Sequence, residues 1–419
     1  MTNKPNHKAV SVLLICHSYP PTLGGSEIEA QRVCQALLAR GNRVRVVCAG
    51  GDPMPPVRDW VDPKGVPVRI YAGRWKGAMK DIVFALRVAG MLIRERKNYQ
   101  VLYFLMQGLH LAAGLPIGKI LRKPIVMKMS GSRVIPFMSQ SYLGRLEFRW
   151  LRRWAQCVMI LNEDMRQQAV EHGLSPEQLL WMPNPVDTDE FSPASEPDRL
   201  LLRSQFGIPP AAPVALFCGR LSPEKRLDSL IDAFALVSKQ MSQSKLLLVG
   251  EGPIRTQLEE QSRRLNLHNN VQFIGAVKPA QVASWLKLAD VFALVSAFEG
   301  FSCALAEAMS SGLGCVASDI PANQQLVRHG EQGLLIPVGD SHAIAQAILN
   351  LFTETSVRAR MGQVARKCIL DNYGTEKIAD RYEALFAAAL CGSGGAKLGP
   401  FCSAPLPSHN SPQPGASQR

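Results

Sequence analysis

"SAFEGFSCALAEAMSSG", Ser296 to Gly312, places two glutamates, Glu299 and Glu307, in a run that is otherwise apolar or small. It follows the apolar run "VFALVS" and closes on Gly312, a helix stop, so the stretch reads as strand, turn, helix. On one continuous helix, residues eight apart would differ by about 80° in direction and about 12 Å in height, which rules out a helix-face pair. The turn Phe298-Glu299-Gly300-Phe301 gives a different arrangement: Glu299 precedes the helix and can fold back over its N-terminus. Glu307 lies inside the helix among Leu305, Ala306, Ala308 and Met309. A carboxylate in that setting needs a partner, and paired sugar hydroxyls would satisfy it. Between the two acids, the first-turn amides of Phe301, Ser302 and Cys303 are expected to point at an anion position.

The same strand-then-helix alternation runs through the chain, the pattern of α/β construction with parallel sheets. The first half offers "VSVLLICH", "RVRVVCA", "VPVRIYA", "VLYFLM", "PIVMKMS", "CVMILN" and "LLWMP" as strands, and the second half "VALFCG", "KLLLVG", "VQFIG", "VFALVS", "GCVAS" and "GLLIPV". Between the series, "PNPVDTDEFSPASEPDRLLLRSQFGIPPAAP" is rich in Pro, Ser and acid, as a linker is. The expected organisation is a Rossmann-like domain over residues 1–190, a linker over 191–210 and a second Rossmann-like domain over 211–375. A closing helix over 376–390 is expected to cross back to the first domain, and a Gly/Ser/Pro-rich tail over 391–419 to be disordered. In open parallel sheets ligands bind beyond the carboxyl ends of the strands, so two such domains face to face would enclose a cleft, with the functional motifs just after strands.

Bulk properties narrow the class. A chain of 419 residues exceeds one compact core, and 47% hydrophobic with 19% charged residues reads as soluble and globular. The 10 cysteines form no CxxC pair. Cys16, Cys48, Cys218 and Cys315 lie in or beside apolar runs, which favours a reducing, cytoplasmic compartment. There is no metal-ligand cluster. The first apolar run reads as a strand rather than a signal peptide, since Pro20 and Pro21 stand where a cleavage site would need small residues. "VLYFLMQGLHLAAGLPIGKI" carries Gln107, His110, Pro116 and three glycines, so it reads as strand plus helix and not as a membrane span. The net charge is +13, and residues 1–190 hold 26 Lys and Arg against 15 Asp and Glu. A basic half suits a polyanion or an anionic membrane surface. "GRWKGAMK" and "GRLEFRWLRRWAQ" concentrate it. In the second, Leu146, Trp150, Leu151 and Trp154 recur at helical spacing among Arg145, Arg149, Arg152 and Arg153. That helix suits lipid headgroups, or equally a surface helix burying its tryptophans. No nucleic-acid motif accompanies the charge.

Two further loops carry chemistry. In "LFCGRLSPEKRLDSLIDAF" a strand ends at Gly219, and Arg220 and Lys225 flank the loop that follows. An Arg fork and a Lys point charge suit phosphate oxygens, and two solvated cations are the plain alternative. In "LLLVGEGPIRTQLEE", Gly250, Glu251 and Gly252 lie between a strand and a helix, as an anion site or a tight turn requires.

Together these stretches resemble a known family. "EGFSCALAE" resembles the E-x7-E motif of retaining GT-B glycosyltransferases, specifically those of family 4, like glycogen synthase, sucrose synthase and phosphatidylinositol mannosyltransferase. "SYPPTLGGSE" is similar to that family's first glycine loop and "PNPVDTDEFSP" to its interdomain segment. "CGRLSPEKRLDSLIDAF" is similar to its phosphate loop and "SDIPANQQLVRHGEQGLLIPVGD" to the end of its donor domain. The resemblance implies a GT-B fold, two doubly wound domains facing a central cleft. It implies transfer of a hexosyl group from a UDP- or GDP-sugar to a saccharide or lipid-linked acceptor, with retention, without metal or other cofactor. Cell-surface polysaccharide or glycolipid synthesis at the inner face of the plasma membrane would fit. Arg220 and Lys225 would bind the donor diphosphate, Glu307 the ribose and Glu299 the sugar hydroxyls. Gly219, Gly250, Glu251, Gly300, Phe301 and Ser302 would line the donor, and Gly24 and Gly25 would let the first loop approach its phosphate. Asp187 and Asp189, spaced like a metal-binding pair, fall in the interdomain segment and read as structural. Two departures stand out: Ser130 in "KMSGS" replaces the His common after the fifth strand, and Pro185 replaces a Gly. His17 and His110, both just after strands, are candidates for the vacant role or bystanders. The rival readings are a GT-B-like nucleotide-sugar-binding or scaffold protein without turnover, and an epimerase or inverting enzyme of the same architecture.

Overall fold

Apolar runs of three to six residues, bounded by Gly, Pro and amphipathic helices, can bury both faces only in parallel sheets covered by helices, and that is how the chain folds. The computed structural model describes residues 9–20, 24–50, 58–71, 75–131 and 134–391. They form two units, one of residues up to 187 joined by residues from 371 on, the other of residues 188–370.

The first unit runs β1 (Ser11–Cys16), α1 (Gly25–Ala39), β2 (Arg43–Cys48), β3 (Arg58–Val61), β4 (Pro67–Ile70), α2 (Gly77–Arg94), β5 (Val101–Leu105) and α3 (Leu109–Ile120). It continues with β6 (Ile125–Lys128), α4 (Val134–Gln140), α5 (Tyr142–Trp154), β7 (Cys157–Ile160), α6 (Glu163–Glu171) and β8 (Leu179–Trp181). Its sheet has the order β3-β4-β2-β1-β5-β6-β7-β8. All pairs are parallel except β3 with β4. Every residue of β5, β6 and β7 is buried. Strand β3 escapes the sequence reading because "RDWV" has no apolar run and Val61 is 60% exposed on the sheet edge.

The second unit runs α7 (Glu196–Gln205), β9 (Val214–Cys218), α8 (Leu227–Gln240), β10 (Lys245–Val249), α9 (Arg255–Arg264), β11 (Val271–Gly275) and α10 (Pro279–Leu288). Then come β12 (Val291–Leu294), α11 (Cys303–Ser310), β13 (Gly314–Ser318), α12 (Pro321–Gln324), β14 (Leu334–Ile336), α13 (Ser341–Thr353) and α14 (Thr355–Asn372). Its sheet, β11-β10-β9-β12-β13-β14, is wholly parallel and reverses direction of winding between β9 and β12. The loops after those two strands flank the switch point, where a ligand crevice forms.

The segment expected as a linker, residues 191–210, instead holds α7. Ser195 caps it by accepting from the Asp198 amide and Pro197 sits in its first turn, so the Pro and acid there are helix-start signals. Buried Arg203 on α7 donates to Asp290 and to the Ala212 carbonyl within the same unit. After α14 the chain re-enters the first unit as α15 (Thr375–Leu390), where Tyr382 and Phe386 pack on Tyr103. The tail expected to be disordered lies, beyond Cys391, outside the described residues. No described helix is long and apolar enough to cross a membrane, and "VLYFLMQGLHLAAGLPIGKI" folds as β5 and α3.

Candidate functional site

The loops after β9 and β10 are laced together by backbone. The Gly219 amide donates to the Val249 carbonyl at 2.9 Å and the Leu221 amide to the Glu251 carbonyl at 2.9 Å. The contact leaves no room for side chains: a Cβ on Gly250, at φ +135°, would lie 1.9 Å from the Gly219 oxygen, and one on Gly252 would lie 2.1 Å from the Leu221 oxygen. The lacing holds the β9 loop extended, with Arg220 exposed and Lys225 in a short turn, Pro223–Lys225, that leads into α8.

On the other side of the switch point, the Ala297 amide donates to the Glu224 carbonyl at 2.8 Å and ties the β12 loop to the β9 loop. Glu299 lies in that loop, before α11, as the turn reading expects. Its Oε1 accepts from Lys225 Nζ at 2.6 Å and from Ser296 Oγ at 2.7 Å. Both members of the ion pair are largely covered, 18% and 13% exposed. Glu307 lies within α11, half-buried and close enough to the end of β9 that burial, and after it the Glu307 charge, push the Cys218 thiol up to about 12. The two acids therefore bracket the β9 loop, one at Lys225 and one at Cys218.

Two donor-side expectations need correction. The Cys303 amide donates to the Phe301 carbonyl at 2.9 Å, so it does not point at an anion. Glu251 contributes its carbonyl to the lacing, but its carboxylate is paired with Arg255 four residues on, so it faces α9. Phe301, Ser302 and Gly300 are buried at the start of α11, and Ser302 Oγ is bonded to Asn323 at 2.5 Å, which fixes the helix entry.

In the first unit, the carboxyl ends of β1, β5 and β6 gather polar groups. His17 Nε2 meets Asp81 Oδ1 at 2.8 Å. Phe84 packs edge-on to His17 and tilted on His110, with centroids 6.4 and 5.5 Å apart. His110 is 2% exposed, and burial, with His17 beside it, pushes its imidazole down to about 3, so it stays neutral. Its Nε2, Ser130 Oγ, Gln107 Oε1 and Glu147 Oε1 are buried and have no hydrogen-bond partner among the described residues. Glu147 is the residue the sequence reading missed. Burial pushes its carboxyl up to about 7 against the pull of the Gly108 and Ala112 amides at the start of α3. The signal was present: on α5 the buried positions are Gly144, Glu147, Phe148 and Leu151, so one acid occupies the apolar face. Trp150 and Trp154, at the flank of that face, are half-buried and stacked on each other at 5.4 Å. Gly24, at the start of α1, is extended at φ −175°, and a Cβ there would meet only the Glu27 carboxylate. Gly25 opens α1, and the loop residues 21–23 before it lie outside the described residues.

Comparison with known proteins adds a second line. A family model described as glycosyl transferases group 1 matches residues 198–368, and one described as glycosyl transferase 4-like domain matches residues 24–185. The chain is 24% identical over 377 residues to N-acetyl-alpha-D-glucosaminyl L-malate synthase of Bacillus anthracis, covering 87% of this chain and 94% of that one. It is 33% identical over 230 residues to phosphatidyl-myo-inositol mannosyltransferase of Mycobacterium tuberculosis, covering 53% of this chain and 54% of that one. Among solved structures, HepE of Anabaena in complex with UDP and glucose superposes with a TM-score of 0.76 at 22% identity, over 90% of this chain and all of that one.

Proposed function

The chain belongs to the glycosyl transferases group 1 and has the GT-B fold, and from that premise we propose that it moves a hexosyl group from a UDP- or GDP-sugar to a saccharide or lipid-linked acceptor with retention of configuration and without a metal ion. The observation that carries this reading is the cluster around the switch point of the second sheet: Arg220 and Lys225 on one loop, Glu299 on the facing loop and Glu307 on α11. Lys225 and Arg220 bind the donor diphosphate. When the sugar C1–O bond breaks, the electron pair leaves with the nucleoside diphosphate, and the two cations stabilise the charge that develops there. The acceptor hydroxyl bonds C1 on the face the diphosphate leaves, and its proton passes to the departing phosphate oxygen. Glu307 accepts from the ribose hydroxyls. Glu299 accepts from the transferred sugar while keeping Lys225 aimed at the phosphate. The acceptor side is assigned to the first unit, where neutral His110 and Ser130 offer unpartnered hydrogen-bonding atoms. The basic first half, with exposed Arg145 and Arg149 on α5, suits work at the inner face of the plasma membrane.

The test is nucleotide release from a panel of UDP- and GDP-sugars with saccharide and lipid-linked acceptors, with the product linkage read by NMR. Lys225→Ala is expected to lower kcat about 100- to 1,000-fold, and Glu307→Gln to act mainly on donor KM. Donor binding without release from any pair would favour the scaffold reading that Ser130 suggests, and an inverted anomeric linkage would remove the retaining mechanism.

A further inference from the structure

A further cationic site lies in the first unit, at the amino ends of its strands. An open cavity of about 700 Å³ is lined by Lys119 in the last turn of α3 and Arg122 and Lys123 after it, by Arg153 and Trp154 at the end of α5, and by the last residues of α15. No acidic residue lines it. Lys123 is held by the Tyr99 carbonyl at 2.7 Å, whereas Lys119, Arg122 and Arg153 make no side-chain hydrogen bond or ion pair with any described residue.

The plain explanation is helix capping, since cations favour helix C-termini. Three helix ends meet here, each worth about half a negative charge, so about −1.5 in total faces four cations. The balance stays near +2.5, and the three unpartnered side chains do not bond the terminal carbonyls they would be capping. Arg122 is unusual on its own account. The Lys123 amide returns to the Gly118 carbonyl and the Arg122 amide to the Lys119 carbonyl, which places Arg122 at the left-handed position after the helix. Its φ is +52°, a conformation glycine fills without strain. A guanidinium at that position points to use of its charge. The sequence after α15, residues 392–419, contains Lys397 and Arg419 and no Asp or Glu.

We propose that this cavity binds a phosphate-bearing ligand, with Lys119, Arg122 and Arg153 on the phosphate oxygens and the Trp154 indole against the organic part. Its volume suits a sugar phosphate, a nucleotide or a lipid headgroup. The site is separate from the Arg220–Lys225 loop and does not depend on the reading of that loop.

The full chain is titrated with inorganic pyrophosphate in the presence of saturating UDP. It is also sedimented with phosphatidylcholine vesicles containing one quarter phosphatidylglycerol. Arg122→Gly/Arg153→Gln is expected to weaken one of these interactions about tenfold or more, to lessen its salt sensitivity, and to leave UDP affinity unchanged. Loss of pyrophosphate binding identifies a soluble phosphate ligand, and loss confined to vesicles identifies a headgroup. Because glycine fits the Arg122 backbone, the single Arg122→Gly variant should melt no lower than the parent, which separates lost binding from lost folding. The proposal is overturned if the parent binds neither probe, or if the double variant binds both as the parent does. An equal drop on vesicles from Arg145→Gln/Arg149→Gln overturns the headgroup arm, because surface charge alone would then explain it.

Discussion

Glu147 shows what a single side chain can cost. Its carboxyl is held on the apolar face of α5, and burial raises it from an ordinary value near 4.5 to about 7. An acid whose folded-state value is raised destabilises the fold once the unfolded chain can ionise and the folded one resists. Below about pH 4.5 both states are protonated and the cost is absent. It grows as pH rises towards about 7 and is constant above that, at up to about 3 kcal/mol. Glu147→Gln keeps an acceptor for the Gly108 amide and removes the ionisation. It should therefore melt higher than the parent at pH 8, with the difference vanishing near pH 4. Equal melting at both values would show that the carboxyl is not strained in the folded state. If the same substitution also changes acceptor KM, the acceptor site reaches the start of α3, where Glu147 meets the Gly108 and Ala112 amides. Glu147 was hidden in the sequence among four arginines, where an acid looks like a surface counter-charge. Only the burial of its helix face sets it apart, whereas Glu299 and Glu307 stood out because few other charges surround them.

At the level of elements, the parallel strands were legible because each is a continuous apolar run, buried on both faces. The elements that escaped follow other rules. β3 is an antiparallel edge with a charged, half-exposed sequence, and α7 announces itself through Ser195, Glu196 and Pro197, residues that also mark linkers. The lacing of the β9 and β10 loops was only half legible. Gly-x-Gly after a strand suggested an anion site, but the glycines are needed first because another backbone passes against them. That makes a separable prediction. Gly252→Ala drives a methyl into the Leu221 carbonyl, which belongs to backbone and cannot swing aside. It is expected to destabilise the second unit by about 2–3 kcal/mol and to raise donor KM, because the loop carrying Arg220 must shift. Gly252 has no left-handed φ, so Gly330→Ala, whose Cβ meets nothing within 4 Å but whose φ is +81°, gives the contrasting case of backbone strain without a clash. Calorimetry and donor titration on the two variants distinguish the effects. If both lose stability equally and neither loses donor affinity, the lacing does not position the loop.

On the scale of the whole molecule, the first unit is made from both ends of the chain, and a buried polar network joins them. Lys128, the last residue of β6, is fully buried; it pairs with Glu29 on α1 and donates to Asn184 at 2.9 Å. Tyr382 on α15 donates to Glu29 at 3.3 Å and is bonded to Tyr103 at 3.0 Å. Residues 353 positions apart thus meet at one carboxylate, a separation no local pattern reveals, although the closing helix itself was readable from its periodicity. Burial pushes the Glu29 carboxyl up, and Lys128 opposes that shift. Removing one partner of a buried pair leaves an uncompensated charge, at a cost of about 3–5 kcal/mol, whereas replacing both with apolar groups is often neutral. Lys128→Met should accordingly loosen α15, seen as faster hydrogen exchange at Tyr382 and Phe386 and across β6. Lys128→Met/Glu29→Leu should restore most of the protection, leaving the smaller effect of the lost Tyr382–Glu29 hydrogen bond. If the double variant exchanges as fast as the single one, the network is not what holds the returning helix in place. The packing of Tyr382 and Phe386 on Tyr103 would then be the stronger tie, and Phe386→Ala should open α15 more than Lys128→Met does.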